Sequence, residues 1–473
     1  RTPHPAMAEV KYVHQNVAFE AVDPANGKFL VKNRFYFTNL QKYMISYTIK
    51  ANGKTVKGGK MSVNVEPQGS KEITIATSGL KSKPGTEYFI YFNVTTTEPE
   101  PLIPVGHEIA YEQFRLPIEP GERTFATGGP ALKVSAEGNE LTASSSKVNF
   151  VFDKKTGLVS SYKVGGTEYF KDGFGLQPNF WRAPNDNDYG NGNPKRLQVW
   201  KQSSKNFNVV DANIVMDGKD AVLTANYLLA AGNLYIVTYR ISPSGVVKAD
   251  FTFTSTDMEA AKTEASEATL MATFTPGSDA ARKAASKLEV PRIGVRFRLP
   301  AEMNQVEYFG RGPEENYIDR NAGTLIDLYK TTADQMYFPY VRPQENGHHT
   351  DTRWLTLNKK GGKGLTIYAD KTIGFNALRN SVEDFDGEET VSRPYQWLNR
   401  DAGELVHDES KAKDQLPRKT HINDITPRNF VEVCVDMKQQ GVAGYNSWGA
   451  RPEPGYNIPA NQEYKWGFTI VPR

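Results

Sequence analysis

Residues 146–170 read SKVNFVFDKKTGLVSSYKVGGTEYF. Val148, Phe150 and Phe152 on one side, and Val159, Tyr162 and Val164 on the other, flank the segment Asp153-Lys154-Lys155-Thr156-Gly157. Alternation of β-branched and aromatic residues with polar ones has the period of a strand, and a Gly-containing polar break between two such runs predicts a hairpin. The neighbouring segments repeat the pattern: GNLYIVTYRIS (232–242), VVKADFTFTST (246–256), PRIGVRFRLP (291–300), QVEYFGRG (305–312), RWLTLNKKGGKGLTIYAD (353–370), FVEVCVDMKQ (430–439) and YKWGFTIVP (464–472). With no regular alternation of helix and strand, residues 132–473 are expected to form one large antiparallel β-sandwich. The best helical candidate is SDAARKAASKLEV (278–290), with Ser278 as its cap, and NRDAGELVHDESKAKDQLPRKTHIND (399–424) reads as a long surface loop.

Upstream, AEVKYVHQNVAFEAVD (8–23), KFLVKNRFYFTN (28–39), YMISYTIKANG (43–53), KEITIATSG (71–79), EYFIYFNVTT (87–96) and HEIAYEQFRL (107–116) supply the strands of a second, smaller sandwich over residues 1–117. PIEPGERTFATGGPA (117–131) breaks the pattern with Pro and Gly, so residues 118–131 read as a linker. The fold class is therefore all-β.

Composition excludes several functions. The chain carries 57 basic and 54 acidic residues, a net charge of +3, without a Lys/Arg run, which argues against nucleic acid or an anionic membrane surface as partner. No apolar run approaches the ~18 residues that span a bilayer. The single cysteine, Cys434, lies in the apolar alternation VEVCVDM and reads as core packing, and no cysteine metal cluster can form. RTPHPAMAEV at the start resembles neither a signal peptide nor a natural first segment, and a piece excised from the C-terminal part of a longer protein is expected. The compartment is left open between bacterial cytoplasm and periplasm.

Four polar segments hold the candidate chemistry. FWRAPNDNDYGNGNP (180–194) offers Arg182, Asn185, Asp186, Asn187 and Asp188, either as oxygen ligands of a hard cation, as side chains bonded to their own backbone, or as a ligand-site loop; the twelfth position counted from Asp186 is Leu197, so the calcium-loop pattern fails. YFGRGPEENYIDR (308–320) carries Glu314, Glu315, Asp319, Arg311 and Arg320, readable as a carboxylate pair for glycoside chemistry or as an ion-pair network. PYVRPQENGHHTDTRW (339–354) holds Glu345, His348, His349, Asp351 and Arg353; Glu345, His348 and Arg353 are candidates for a sugar cleft, although adjacent histidines on a regular strand face opposite ways. Finally, GVAGYNSWGARPEPGYN (441–457) places Trp448 in a Gly- and Pro-rich loop, where a large aromatic commonly meets a partner or ligand. There is no phosphate-binding glycine loop and no Gly-x-Ser-x-Gly elbow.

Taken in order, RTPHPAMAEVKYVHQ (1–15), FWRAPNDNDYG (180–190), FGRGPEENYIDR (309–320), MYFPYVRPQENG (336–347) and NSWGARP (446–452) resemble the C-terminal region of the large bacterial β-galactosidases of glycoside hydrolase family two. The resemblance covers essentially the whole chain. It implies that residues 1–117 are an immunoglobulin-like β-sandwich and residues 132–473 a terminal β-supersandwich of the galactose-mutarotase-like type. It further implies a retaining enzyme whose two glutamates, about 5 Å apart in that chemistry, and whose magnesium ligands belong to a barrel domain absent from this chain. On that resemblance this chain holds no catalytic residue and no cofactor. Trp448 matches a family tryptophan that stacks on the sugar or aglycone, and the Arg182–Gly190 loop resembles one bordering the same entrance. The implied partners are a β-galactoside, the N-terminal and barrel domains of the same enzyme, and further copies in a homo-oligomer. His348 and His349, and the stretches 256–290 and 397–425, depart from the family pattern. A free-standing carbohydrate-binding module and a mutarotase-like epimerase using Glu345 and a histidine are the alternatives.

Overall fold

The computed structural model describes residues 3–231, 233–254, 289–386, 419, 421–446 and 449–473. Trp448, the Ser278 helix candidate up to Leu288, and the 399–424 loop apart from Lys419 and His421–Asp424 lie outside the described residues. Two compact units emerge: Arg1–Ala126 with Glu307–Asn316 and Arg320–Tyr329, and Thr127–Val306 with Tyr317–Asp319 and Lys330–Arg473.

The first unit opens with helix α1 (Ala6–Val13), followed by strands β1 (Val17–Asp23), β2 (Lys28–Asn33), β3 (Tyr43–Ala51), β4 (Lys54–Met61), β5 (Ser70–Thr74), β6 (Tyr88–Thr96) and β7 (Glu108–Arg115). Sheets β1-β2-β5 and β4-β3-β6-β7 form the two layers. Between them Phe19 of β1 stacks on Phe92 of β6 at 4.6 Å and Phe29 of β2 meets the same ring edge-on at 5.1 Å. Fully burying one such phenylalanine contributes about 1.5–3 kcal/mol. This is a seven-stranded, immunoglobulin-like β-sandwich.

Four segments differ from the sequence expectation. Residues 8–13, read as extended from their pattern, belong to α1: Ala, Met, Glu and Lys favour a helix there. Side chains fix that helix in place, with Tyr12 donating to Glu112 at 2.6 Å, Lys11 to Glu108 at 2.7 Å, and Gly323 N–H to Glu9 at 2.7 Å. The run 28–39 stops as a strand at Asn33, whose amide donates to the Thr38 and Val65 carbonyls and turns the chain. Segments 307–316 and 320–329, which strand pattern alone reads as continuous with the later domain, pack with the first unit. Tyr111 donates to the Gly323 carbonyl (2.6 Å), Gln113 exchanges two 2.8 Å hydrogen bonds with Ile326, and Phe89 meets Phe309 edge-on.

The second unit contains β8 (Lys133–Glu137), β9 (Glu140–Ser144), β10 (Val148–Asp153), β11 (Leu158–Val164) and β12 (Thr167–Glu168), one antiparallel sheet in the order β12-β11-β10-β9-β8. The opening hairpin is as expected: Asp153 pairs with Leu158 and Val148 with Val164. The larger sheet is built from β13 (Gln177–Asn179), β14 (Asn208–Asp217), β15 (Asp220–Leu228), β16 (Leu234–Ile241), β17 (Val247–Thr254), β18 (Arg292–Pro300), β21 (His349–Asn358), β22 (Gly364–Leu378), β23 (Phe430–Gln439) and β24 (Tyr464–Pro472), β19 and β20 being Gln305–Gly312 and Leu325–Thr332. Its order is β13-β18-β23-β22-β24-β17-β16-β15-β14, with β21 also paired to β22. Strict alternation of buried and partly exposed positions along β15, β16 and β17 follows from one apolar face turned to the smaller sheet. Phe150 against Tyr239 (5.6 Å) and Phe152 against Tyr227 (6.4 Å) join the layers. Among the described residues no helix is long and apolar enough to cross a membrane.

Candidate functional site

After β13 the chain leaves the sheet as the polar segment 180–203, which folds into three short helices: α2 (Asp186–Gly190), α3 (Asn193–Arg196) and α4 (Gln198–Ser203). Asn185 caps α2, its Oδ1 accepting from Asp188 N–H at 2.8 Å while Asp188 accepts from Asn185 N–H at 3.2 Å. This reciprocal box satisfies two donors that a helix start leaves open. Asp188 is buried and also receives Arg182 Nη2 at 2.8 Å, Arg182 Nε at 3.1 Å and Asn193 Nδ2 at 2.9 Å. Burial opposes the charge on Arg182, but Asp188, with Glu345 and Asp319 further off, holds its pKa above the ordinary value. Close geometry and the additional hydrogen bonds offset the desolvation penalty that makes most buried pairs costly.

The two other acceptors of Arg182 are backbone carbonyls, Gln440 at 2.5 Å and Gly441 at 2.9 Å. Next in sequence, the Val442 carbonyl accepts from Asn187 Nδ2 at 3.0 Å and Asn185 Nδ2 at 3.4 Å. Asp319 holds the same segment from another side: its Oδ1 accepts from Val442 N–H at 3.0 Å and its Oδ2 from Ala443 N–H at 2.8 Å. Close approach requires glycine twice here. A Cβ on Gly441 would lie 2.5 Å from Asp319 Oδ2, and one on Gly449, at φ +81°, would lie 2.3 Å from the Gly190 carbonyl carbon. The stretch leading to Trp448 and the residue after it are thus docked on the 182–191 segment.

Asp186 points elsewhere. Its exposed carboxylate pairs with Arg342 Nη1 at 3.2 Å, and that guanidinium lies 3.7 Å from the Tyr189 ring centroid. Asp186 and Asp188 therefore diverge, and among the described residues no three His, Cys, Asp or Glu side chains converge as metal ligands.

Glu345 and His348 meet in a buried cluster behind the same loops. Arg292 on β18 donates to Glu345 Oε1 at 2.7 Å and to the Trp181 carbonyl at 3.2 Å, and its Nε lies 3.2 Å from Asp436 Oδ2 on β23. Glu345 N–H donates to the Ala183 carbonyl at 3.2 Å, which ties the cluster to the Arg182 loop. The His348 ring packs on Tyr317 at 5.5 Å, with Nδ1 3.7 Å from Asp436. Burial, with Arg292, His349 and Arg182 nearby, pushes the His348 pKa well below its ordinary value, so the ring is neutral. His349 packs instead on Phe375, with Nδ1 2.9 Å from the Gly347 carbonyl. Arg353 lies further along β21, donating to the Asp351 carbonyl at 2.5 Å. Glu345 is 5 % and His348 1 % exposed, so in this structure both side chains contact protein rather than an open cleft. In the 308–320 segment Glu315 pairs with Arg320 at 3.0 Å, and Arg311 donates to the Asn321 and Thr324 carbonyls.

Arg292, Asp436 and Gln440 do not stand out in the sequence as site residues. A signal exists: β18 places Arg292, Arg296 and Arg298 at alternate positions, and its neighbour β23 places Glu432, Cys434 and Asp436 on the same face of the sheet, giving the pairs Arg296–Glu432 (3.2 Å) and Arg298–Glu432 (2.8 Å) as well. Burial pushes Asp436 up to about 7, against the pull of Arg292. A folded-state pKa above the unfolded one stabilises the protein below the unfolded pKa, near 4, and that contribution is lost as pH rises towards 7. Asp436→Asn is thus expected to flatten the pH dependence of unfolding between pH 4 and 7, where the wild type should lose up to about 1.4 kcal/mol per pH unit more than the variant. Chemical denaturation of both proteins across that range checks it, and parallel curves would refute it.

The family model for the beta galactosidase small chain matches residues 144–470, and that for beta-galactosidase domain 4 matches residues 29–117. Over all of its length the chain is 31% identical to a beta-galactosidase of Priestia megaterium (strain DSM 319 / IMG 1521), and over 99% of it 26% identical to one of Halalkalibacterium halodurans. It spans 40% of the length of each. Among solved structures, a galactose mutarotase related enzyme from Lactobacillus acidophilus aligns over 71% of this chain and 97% of its own, with a TM-score of 0.32 and 9% identity. Matched by that family model over most of its length, the chain belongs to the β-galactosidase small-chain family.

Proposed function

We propose that this chain is the non-catalytic C-terminal part of a retaining β-galactosidase acting on terminal β-D-galactosides, and that it supplies Trp448 as a sugar- or aglycone-stacking wall. On this reading the active site is completed by a barrel domain outside the chain, which carries both catalytic glutamates and the magnesium. The supporting observation is the docking of the backbone on either side of Ser447–Trp448 onto the 182–191 segment and Asp319, a built support for that loop. An indole suits the role because the C–H face of a sugar packs on it while the hydroxyls remain free to hydrogen-bond. The burial of Glu345 and His348 among protein partners weighs against epimerase chemistry at that pair.

In the full-length enzyme, Trp448→Ala is expected to weaken substrate binding by about 1–3 kcal/mol, the worth of one buried aromatic contact. The measurement is KM for several aryl and alkyl β-galactosides. Values unchanged across the series would remove Trp448 from the site.

A further inference from the structure

We propose that Arg196 and Arg451 form a binding site for a small oxyanion, a phosphate or carboxylate group, at the C-terminal end of α3. Arg196 is the last residue of α3, and its side chain is 11% exposed. Only its Nη1 meets a carboxylate, that of Glu289, while Nε and Nη2 are shielded from water and have no hydrogen-bond partner. Those two N–H groups form one edge of the planar guanidinium, the fork that takes both oxygens of an oxyanion side by side. Leaving charged donors buried and unpaired is costly, so a ligand that fills the fork gains what the free protein lacks. The carboxylates close by are already engaged. Glu289 Oε2 accepts from Gln440 Nε2 at 3.0 Å, and Asp188 holds Arg182, Asn193 and the Asn185 N–H.

The backbone brings a second guanidinium to the same place. A Cβ on Gly449 would lie 2.3 Å from the Gly190 carbonyl carbon and 2.7 Å from the Asn191 nitrogen, and Pro459 forms an antiparallel bridge with Glu289. Arg451 is thus carried between the end of α2 and Glu289, near enough for its charge to act on Arg196. Burial, and then repulsion from Arg451, push the Arg196 pKa down to about 9. Arg451 itself is exposed, which leaves the site a mouth to solvent. Asn191, against which Gly449 packs, has a buried Nδ2 that is likewise without a partner. Two neighbouring cations, one with an unused fork, are reconciled by an anion between them, and Arg suits that role because it stays charged and binds oxyanions in two-point fashion.

The test is thermal unfolding of the purified 473-residue chain with inorganic phosphate or acetate as probe, in a low-salt buffer free of other oxyanions, against sodium chloride at matched ionic strength. At least one probe is expected to raise the melting temperature in a saturable way beyond the chloride reference. A tighter response to phosphate assigns the site to phosphate groups, and a tighter response to acetate assigns it to carboxylates. Arg451→Gln, at an exposed position, should melt no lower than wild type in the absence of probe, because a repulsion is removed, and should bind the probe about tenfold more weakly or worse. Arg196→Lys keeps a cation beside Glu289 but lacks the fork, and should lose most of the response. If Arg196→Lys does not fold, Arg451→Gln decides alone. No saturable response to either probe in the wild type, or the same response in wild type and Arg451→Gln, overturns the inference.

Discussion

Replacing Arg292 with methionine should lower the unfolding free energy of the chain by about 3–5 kcal/mol, the cost of removing one partner from a buried ion pair. Arg292 is 0% exposed and faces two carboxylates, Glu345 at 2.7 Å and Asp436 at 3.2 Å, themselves buried. Methionine can fill much of the volume, so the loss is electrostatic rather than a cavity effect. Left without a cation, both carboxylates can escape only by taking up protons. Asp436 already titrates near 7 with Arg292 beside it, so the penalty should grow as pH rises from about 5 to 8. Denaturant unfolding of wild type and Arg292→Met at about pH 5.5 and pH 8 measures this. A loss under about 1 kcal/mol at the higher pH would mean that the cluster is held by something other than this ion pair. Adding Glu345→Gln and Asp436→Asn to Arg292→Met should recover part of the loss, because the uncompensated charges are then gone.

Most strands of this fold are legible in the sequence because one face of each sheet is buried and the side-chain period is two. The 146–170 hairpin, β6, β16 and β17 are instances. Where burial does not impose alternation, the pattern is missing. Strand β4, KTVKGGKM, is an edge strand of its sheet with no fully buried position and carries no apolar pattern, and α1 buries none of its residues. The short helices of 186–203 escape such a reading because each is only a turn or two long, too short to show an apolar stripe, and only α2 carries a capping box.

The site is partly legible. Asn185, Asp188 and Asp319 stand out as polar residues in loops, and Asn185–Asp188 adopt the local backbone bonding that such residues favour. What they hold could not be read, because the grips on residues 440–443 fall on peptide carbonyls and amides, which every residue has. Charges confined to alternate positions, Arg292, Arg296 and Arg298 on β18 and Glu432 and Asp436 on β23, are readable in principle as a buried ion-pair ladder, since strands so apolar expose neither face.

On the proposed function, this chain furnishes a wall of a galactosidase site and none of its reacting carboxylates. Four carboxylates of the candidate segments bond to arginines or backbone amides: Asp188 with Arg182, Glu315 with Arg320, Glu345 with Arg292, and Asp319 with Val442 and Ala443. A retaining glycosidase needs two carboxyl groups about 5 Å apart on either side of the scissile bond, one of them protonated to act as acid. Removing that pair costs many orders of magnitude in rate, far more than the loss of a stacking contact. The direct measurement is hydrolysis of a nitrophenyl β-galactoside by the purified 473-residue chain beside the full-length enzyme at equal molarity. Nitrophenol release is expected from the full-length enzyme and none above buffer from the chain alone, whereas robust turnover by the isolated chain would show that it carries a reacting carboxylate pair of its own.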